Sequence, residues 1–124
     1  MTDLETYLMG RDKKYPISEK QKENALELLR RVGLLFERIG IKDPQLTSGY
    51  RPSAINAKVG GAKMSAHTTC EAGDWENLNN RISDLISVAL LVEFDLYMEN
   101  TAFTKGWIHL QTRPTRSGNK IFNP

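Results

Sequence analysis

Apolar residues recur at spacings of three and four through Ala25, Leu28, Leu29, Val32, Leu35, Phe36 and Ile39. With charged and polar residues between them, that period predicts an amphipathic helix with one face on a core. Ser18-Glu19-Lys20-Gln21 reads as the capping box that starts it, the serine oxygen and the Gln21 side chain each taking an orphan backbone donor. Gly40 suits its C-terminal cap. Residues 1–16 read as a short lead-in closed by Pro16.

The pattern changes in the centre of the chain. Leu46 to Pro52 predicts a short strand running into a turn. Ser53 to Val59 predicts one or two helical turns, stopped by Gly60-Gly61. Glu71 to Trp75 reads as another short strand. Leu78, Ile82, Leu85, Ile86 and Ala89 share one helical face and predict a second amphipathic helix, with Asn79 or Asn80 as its cap. Phe94–Met98 and Trp107–Gln111 have strand composition. The residues between them, Asn100 and Gly106 included, suit a hairpin loop. Arg113 to Pro124 carries two prolines and reads as irregular. Two helices beside a few short strands make an α+β fold, a small antiparallel sheet flanked by helices.

Composition narrows the classes. At 124 residues the chain fits a single domain, 1–124, with a core of its own. Seventeen Lys and Arg against fifteen Asp and Glu leave a net charge of +2. That balance, with no basic recognition helix, argues against a nucleic-acid partner. The single cysteine, Cys70, excludes an intramolecular disulfide. The longest apolar stretch, around Val88 to Val92, falls far short of the roughly 20 residues of a membrane span, so no membrane insertion is expected. The acidic start, Met1-Thr-Asp-Leu-Glu, lacks a secretory signal. Cytoplasmic synthesis is the expectation.

The chain has two histidines, His67 and His109, both in its least helical parts. Asp74 lies seven positions after His67, at the end of a predicted strand. Two imidazoles and a carboxylate form a common three-ligand set for catalytic zinc. On spacing alone the signal is weak, and two histidines more often occupy unrelated surface or core positions.

The surrounding residues weigh further. Ser48-Gly49-Tyr50-Arg51, Asn56, Val59-Gly60-Gly61-Ala62, Ser65-Ala66-His67-Thr68-Thr69-Cys70-Glu71-Ala72-Gly73-Asp74 and Trp107-Ile108-His109 occur in this order. The series resembles zinc peptidases of the D-alanyl-D-alanine carboxypeptidase type. That group includes Van-type dipeptidases, phage L-alanyl-D-glutamate endolysins and, more distantly, the hedgehog signalling domain. Their pattern is S-G-Y-R, then S-x-H-x-x-G-x-A-x-D, then W-x-H, and the match spans residues 48 to 109. The resemblance implies that His67, Asp74 and His109 bind zinc (Zn2+). It implies that Arg51 holds a substrate carboxylate or the oxygen where charge develops, that Ser65 adds a polar contact beside His67, and that Tyr50 and Asn56 shape the site, Tyr50 against the substrate. Without that context, Arg51 reads as a surface ion pair.

Two departures from the pattern matter. Cys70 stands where the family has glycine. It is either a further metal ligand, at finger-like spacing from His67, or a small buried residue; the second reading is the better supported. Many members place the catalytic glutamate three residues before the last histidine, and here that position is Gly106. The nearest acid is Glu99, ten residues before His109. A hairpin of Phe94–Glu99 with Trp107–Gln111 would carry it towards the metal as general base; otherwise it is a solvated loop carboxylate. Asp95 and Glu93 are weaker candidates. Trp75 and Trp107 read as pocket walls or as core. Arg113, Arg116 and Lys120 read as contacts to an anionic wall polymer or, more simply, as a solvated tail.

Together these readings imply a zinc-dependent peptidase that hydrolyses bacterial peptidoglycan stem peptides, a DD-carboxypeptidase or an endolysin-type endopeptidase. A short domain without a signal is similar to phage members, which leave the cell through a holin or travel as virion components. The alternative is a non-catalytic zinc-containing virion, tail or wall-binding module that lost the base, and Gly106 is its support.

Overall fold

The computed structural model describes residues 1–61 and 64–124; Ala62, in the Val59–Ala62 stretch above, lies outside the described residues. Asp3 opens helix α1 (Leu4–Leu8), its side chain accepting from the Thr6 N–H at 2.8 Å. This corrects the lead-in reading of residues 1–16. Tyr7 is fully buried, and its hydroxyl donates to the Ala72 carbonyl at 2.6 Å. Five residues are too few to display a helical period, so the element is hidden in the sequence.

Helix α2 (Glu19–Arg38) follows the predicted pattern, and both bonds of the capping box at Ser18 and Gln21 form. Ala25, Leu28, Leu29, Val32, Leu35 and Phe36 are buried on its inner face. Gly40 takes a positive φ of 78°, the left-handed cap that only glycine adopts freely. Strand β1 (Leu46–Ser48), helix α3 (Ser53–Lys58) and strand β2 (Ala72–Glu76) also stand where the sequence places them.

The predicted second amphipathic helix does not form over Leu78–Ala89. Asn79 and Asn80 both adopt left-handed backbone, at φ 55° and 58°. The Asn77 side-chain oxygen accepts from the N–H groups of Ile82 and Ser83 at 2.9 and 3.0 Å, so it binds the backbone that a helix would use itself. Two isolated 3-10 turns result, Leu78–Asn80 and Ser83–Leu85, with Leu78 and Leu85 exposed. The helix of this region is α4 (Val88–Phe94), begun by Ser87, whose hydroxyl accepts from the Leu90 N–H. Asp95 ends it in the left-handed region, so the next strand, β3 (Tyr97–Glu99), starts three residues later than Phe94.

Strand β4 (Trp107–Gln111) and a short β5 (Ile121–Phe122) complete one five-stranded sheet, ordered β1-β2-β4-β3-β5. β5 pairs parallel to β3 and the other pairings are antiparallel, so the sheet is mixed and the tail is not wholly irregular. Alternation sorts the strands onto two faces. Trp75, Ile108, Leu110 and Met98 pack in the core with α1, α2 and α4, and the Trp75 ring meets Phe36 edge-on at 5.7 Å. The opposite face carries Asp74, His109 and Gln111. Among the described residues, no helix is long and apolar enough to cross a membrane.

Candidate metal centre

Strand register builds most of the site. Ser48 lies opposite Asp74 across β1 and β2, and Asp74 lies opposite His109 across β2 and β4. Met98 pairs with Leu110, so the register carried one residue further sets Glu99 beside His109. A polar row therefore crosses four strands on the face away from the helices.

His67 comes from the loop before β2, which folds over this row. Its Nδ1 meets the Gly49 carbonyl at 2.9 Å, and its backbone N–H donates to Ser65 Oγ at 3.2 Å. The Arg51 N–H donates to the His67 carbonyl, while Gln21 and Asn24 of α2 donate to the carbonyls of Thr68 and Thr69. Ser65 is thus engaged with the histidine it was expected to accompany.

His67, Asp74 and His109 are all buried, and one ligand atom from each lies within 4.8 Å of the others. His67 Nε2 is 3.3 Å from Asp74 Oδ1, and His109 Nδ1 is 2.9 Å from the same oxygen. The far ring nitrogens have their own acceptors, Gly49 O for His67 and Gln111 Oε1 for His109, the latter at 2.8 Å. A carbonyl can only accept, so His67 carries its proton on Nδ1 and turns the Nε2 lone pair inward. Two imidazole nitrogens and a carboxylate aimed at one another repel unless a proton or a cation lies among them. The set of two nitrogens and one oxygen, with outer hydrogen bonds fixing both rings, fits zinc with an open fourth position.

Electrostatics agree with a site built for positive charge. Burial acts to raise the Asp74 carboxyl, but once the inward nitrogens of His109 and His67 are protonated, their hydrogen bonds and charges outweigh it and hold the group at about 2. For His109 burial acts downward, and the Asp74 bond and charge outweigh it, so the imidazole is raised above its usual value. Arg51 Nη2 lies 3.6 Å from Asp74 Oδ2 and 3.4 Å from Ser48 Oγ, and its Nη1 meets Asn56 Oδ1 at 3.3 Å. Arg51 is therefore no surface ion pair. Asn56 holds its guanidinium, and a Cβ at Gly61 would strike Asn56 Oδ1.

Glu99 is partly buried, and it lines one open cleft with Ser65, His109, Gln111, Arg116 and Phe122. Burial raises its carboxyl above the ordinary range, with His109, Asp74 and His67 as the nearby charges acting on it. It is not a solvated loop carboxylate. Glu93 pairs with Arg38 at 2.6 Å and Asp95 with Lys120 at 2.8 Å, which commits both elsewhere. Gly106 has φ +86°, a conformation that disfavours any side chain at the position three before His109.

Other expectations change. Tyr50 is core: it is 3% exposed and its hydroxyl donates to the Tyr15 carbonyl at 3.0 Å, so it does not face a substrate. Trp75 is also core, with its indole N–H on Thr2 Oγ1, while Trp107 is half-buried at the start of β4. Cys70 is not among the converging ligand atoms. It is fully buried at φ +62°, which explains why glycine suits this position, and burial pushes its thiol up to about 12. Arg113 is no solvated tail residue, since it binds Glu71, Thr69 and the Met64 carbonyl. Lys120 pairs with Asp95 and lies over the Tyr97 ring, and Arg116 is exposed. Gln111 was missed as a site residue, and Arg113 was read as a wall-polymer contact or tail residue, without its tie to the His67 loop. Gln111 carried one signal, its alternation with His109 along β4.

A family model described as Peptidase M15 matches residues 8–111, a span that holds every residue of the row and the His67 loop. No curated protein matches the chain.

Proposed function

The chain belongs to the peptidase M15 family, and from that premise we propose that it is a zinc-dependent peptidase hydrolysing peptidoglycan stem peptides, as a DD-carboxypeptidase or an endolysin-type endopeptidase. The convergence of His67, Asp74 and His109 beside an open cleft carries the reading. These three residues would hold the metal. A bound zinc supplies Lewis acidity, polarising a carbonyl and making a water acidic enough to attack near neutral pH.

The remaining chemistry falls to the chain's own side chains. Glu99 takes a proton from the attacking water and returns it to the leaving amine nitrogen. Its burial favours that task, because a carboxyl with a raised pKa holds a proton more readily than an exposed one. Arg51 presents a fixed cationic fork next to Asp74, suited to a peptide carboxylate or to an oxygen gaining charge. Ser65 keeps the His67 loop in place through the His67 N–H.

The test is hydrolysis of purified peptidoglycan by the zinc-loaded protein, with products identified by mass spectrometry and His67→Ala as control. Zinc-dependent release of D-alanine or of cleaved stem peptides is expected, and the product names the bond. Stoichiometric zinc without products would instead support the non-catalytic module that Gly106 suggested.

A further inference from the structure

Gln111 and Arg113 have no part in the mechanism above, yet both are tied to the donor set. Gln111 is 8% exposed, with Oε1 at 2.8 Å from His109 Nε2 and Nε2 at 2.7 Å from the Arg113 carbonyl. The carbonyl can only accept, so the amide NH2 must face it and the amide oxygen must face His109. His109 therefore donates from Nε2 and turns the Nδ1 lone pair towards Asp74. The orientation of one buried amide decides which nitrogen is free.

Arg113 extends the same chain of contacts across the site. Its Nη1 donates to the Met64 carbonyl at 2.6 Å, its Nη2 to Thr69 Oγ1 at 2.7 Å, and its Nε to Glu71 Oε1 at 3.2 Å. The Thr112 N–H adds a bond to the Glu71 carbonyl at 2.9 Å. Those partners bracket His67. The segment after His109 is thereby stitched to the loop that carries the other histidine.

We propose that Gln111 and Arg113 are positioning residues of the metal site: Gln111 selects the His109 tautomer, and Arg113 locks the His67 loop against β4, so that ligands from separate segments meet preformed. The inference rests on the metal reading above. Neither side chain touches the substrate in this role, and both act through the histidines.

The experiment titrates zinc into the full-length protein against a chromophoric chelator, for wild type, Gln111→Met, Arg113→Met and His67→Ala. Each methionine variant is expected to bind zinc about 10–100-fold more weakly than wild type. Unchanged affinity in Gln111→Met overturns the role of Gln111, and unchanged affinity in Arg113→Met overturns that of Arg113. Nitrogen-15 NMR of the zinc-loaded wild type gives an independent answer that no variant's folding can obscure. A proton on His109 Nε2 is expected, and a proton on Nδ1 refutes the tautomer lock. Wild type that binds no more zinc than His67→Ala would refute the metal reading itself, and this inference with it.

Discussion

Glu99 occupies a place where Gly106 can do nothing. At φ +86° an L side chain at position 106 is strained by about 1–2 kcal/mol, so a base three residues before His109 is disfavoured by the backbone. Glu99 reaches the row from the neighbouring strand instead. Glu99→Gln should lower turnover by about 10²–10⁴-fold with zinc content unchanged; full activity in that variant would remove Glu99 from the mechanism. The pH dependence has a definite sign. A base works as the carboxylate, and burial raises this carboxyl above its usual 4.5. Activity should therefore fall as the pH drops through a midpoint above 4.5, and the acid limb of the kcat/KM profile reads it directly. Cys70 yields a separate expectation. With its thiol at about 12 and no exposure, it should resist iodoacetamide at pH 8 in the folded protein and react fully in denaturant. Rapid labelling of the native chain would contradict its burial.

At the level of elements, the turn after β1 bears the tightest constraint. A Cβ on Gly49 would lie 2.0 Å from the Tyr7 carbonyl oxygen, a backbone atom that cannot step aside. The Gly49 carbonyl also orients His67. Gly49→Ala should destabilise the fold by about 1–3 kcal/mol, as overpacking does, and should weaken zinc binding as well. Denaturant melts and a zinc titration check the two effects, and an unperturbed variant would contradict both. The same scale shows what was legible in the sequence. α2 was readable because twenty residues repeat a period and carry their own caps. β2 and β4 were readable from short runs of strand composition and from the motif residues Asp74 and His109 lying on them. The stretch 78–89 was not, because apolar spacing there matched a helix while two asparagines in left-handed backbone broke it. α1 and β5 escaped notice because five residues and two residues carry no period, and their pairing partners lie far along the chain.

For the whole molecule, the row from Ser48 through Asp74 and His109 to Glu99 couples folding to protons and metal. Its members come from β1, β2, β4 and β3, and His67 adds a loop, so the donor set exists only when the sheet is complete. In the metal-free protein the Asp74 carboxyl sits at about 2, below its ordinary value of 3.8. It contributes stability above about 3.8 that is lost as the pH falls from there through about 2. His109 is shifted the other way, above 6.5. Its contribution is complete below 6.5 and is lost as the pH rises through the folded value. The metal-free protein should then melt highest in the mildly acid range and progressively lower towards pH 8, where the lone pairs of the donor set face one another unprotonated. Zinc takes the place of that proton. Its binding to the native state alone adds RT ln(1 + [Zn]/Kd), about 2.7 kcal/mol at a hundredfold excess over Kd. Because binding competes with protonation, the rise in Tm on adding zinc should be larger at pH 8 than at pH 6 and should vanish in His109→Ala. An equal rise at both pH values, or one that survives in His109→Ala, would place the stabilising ion somewhere other than this row.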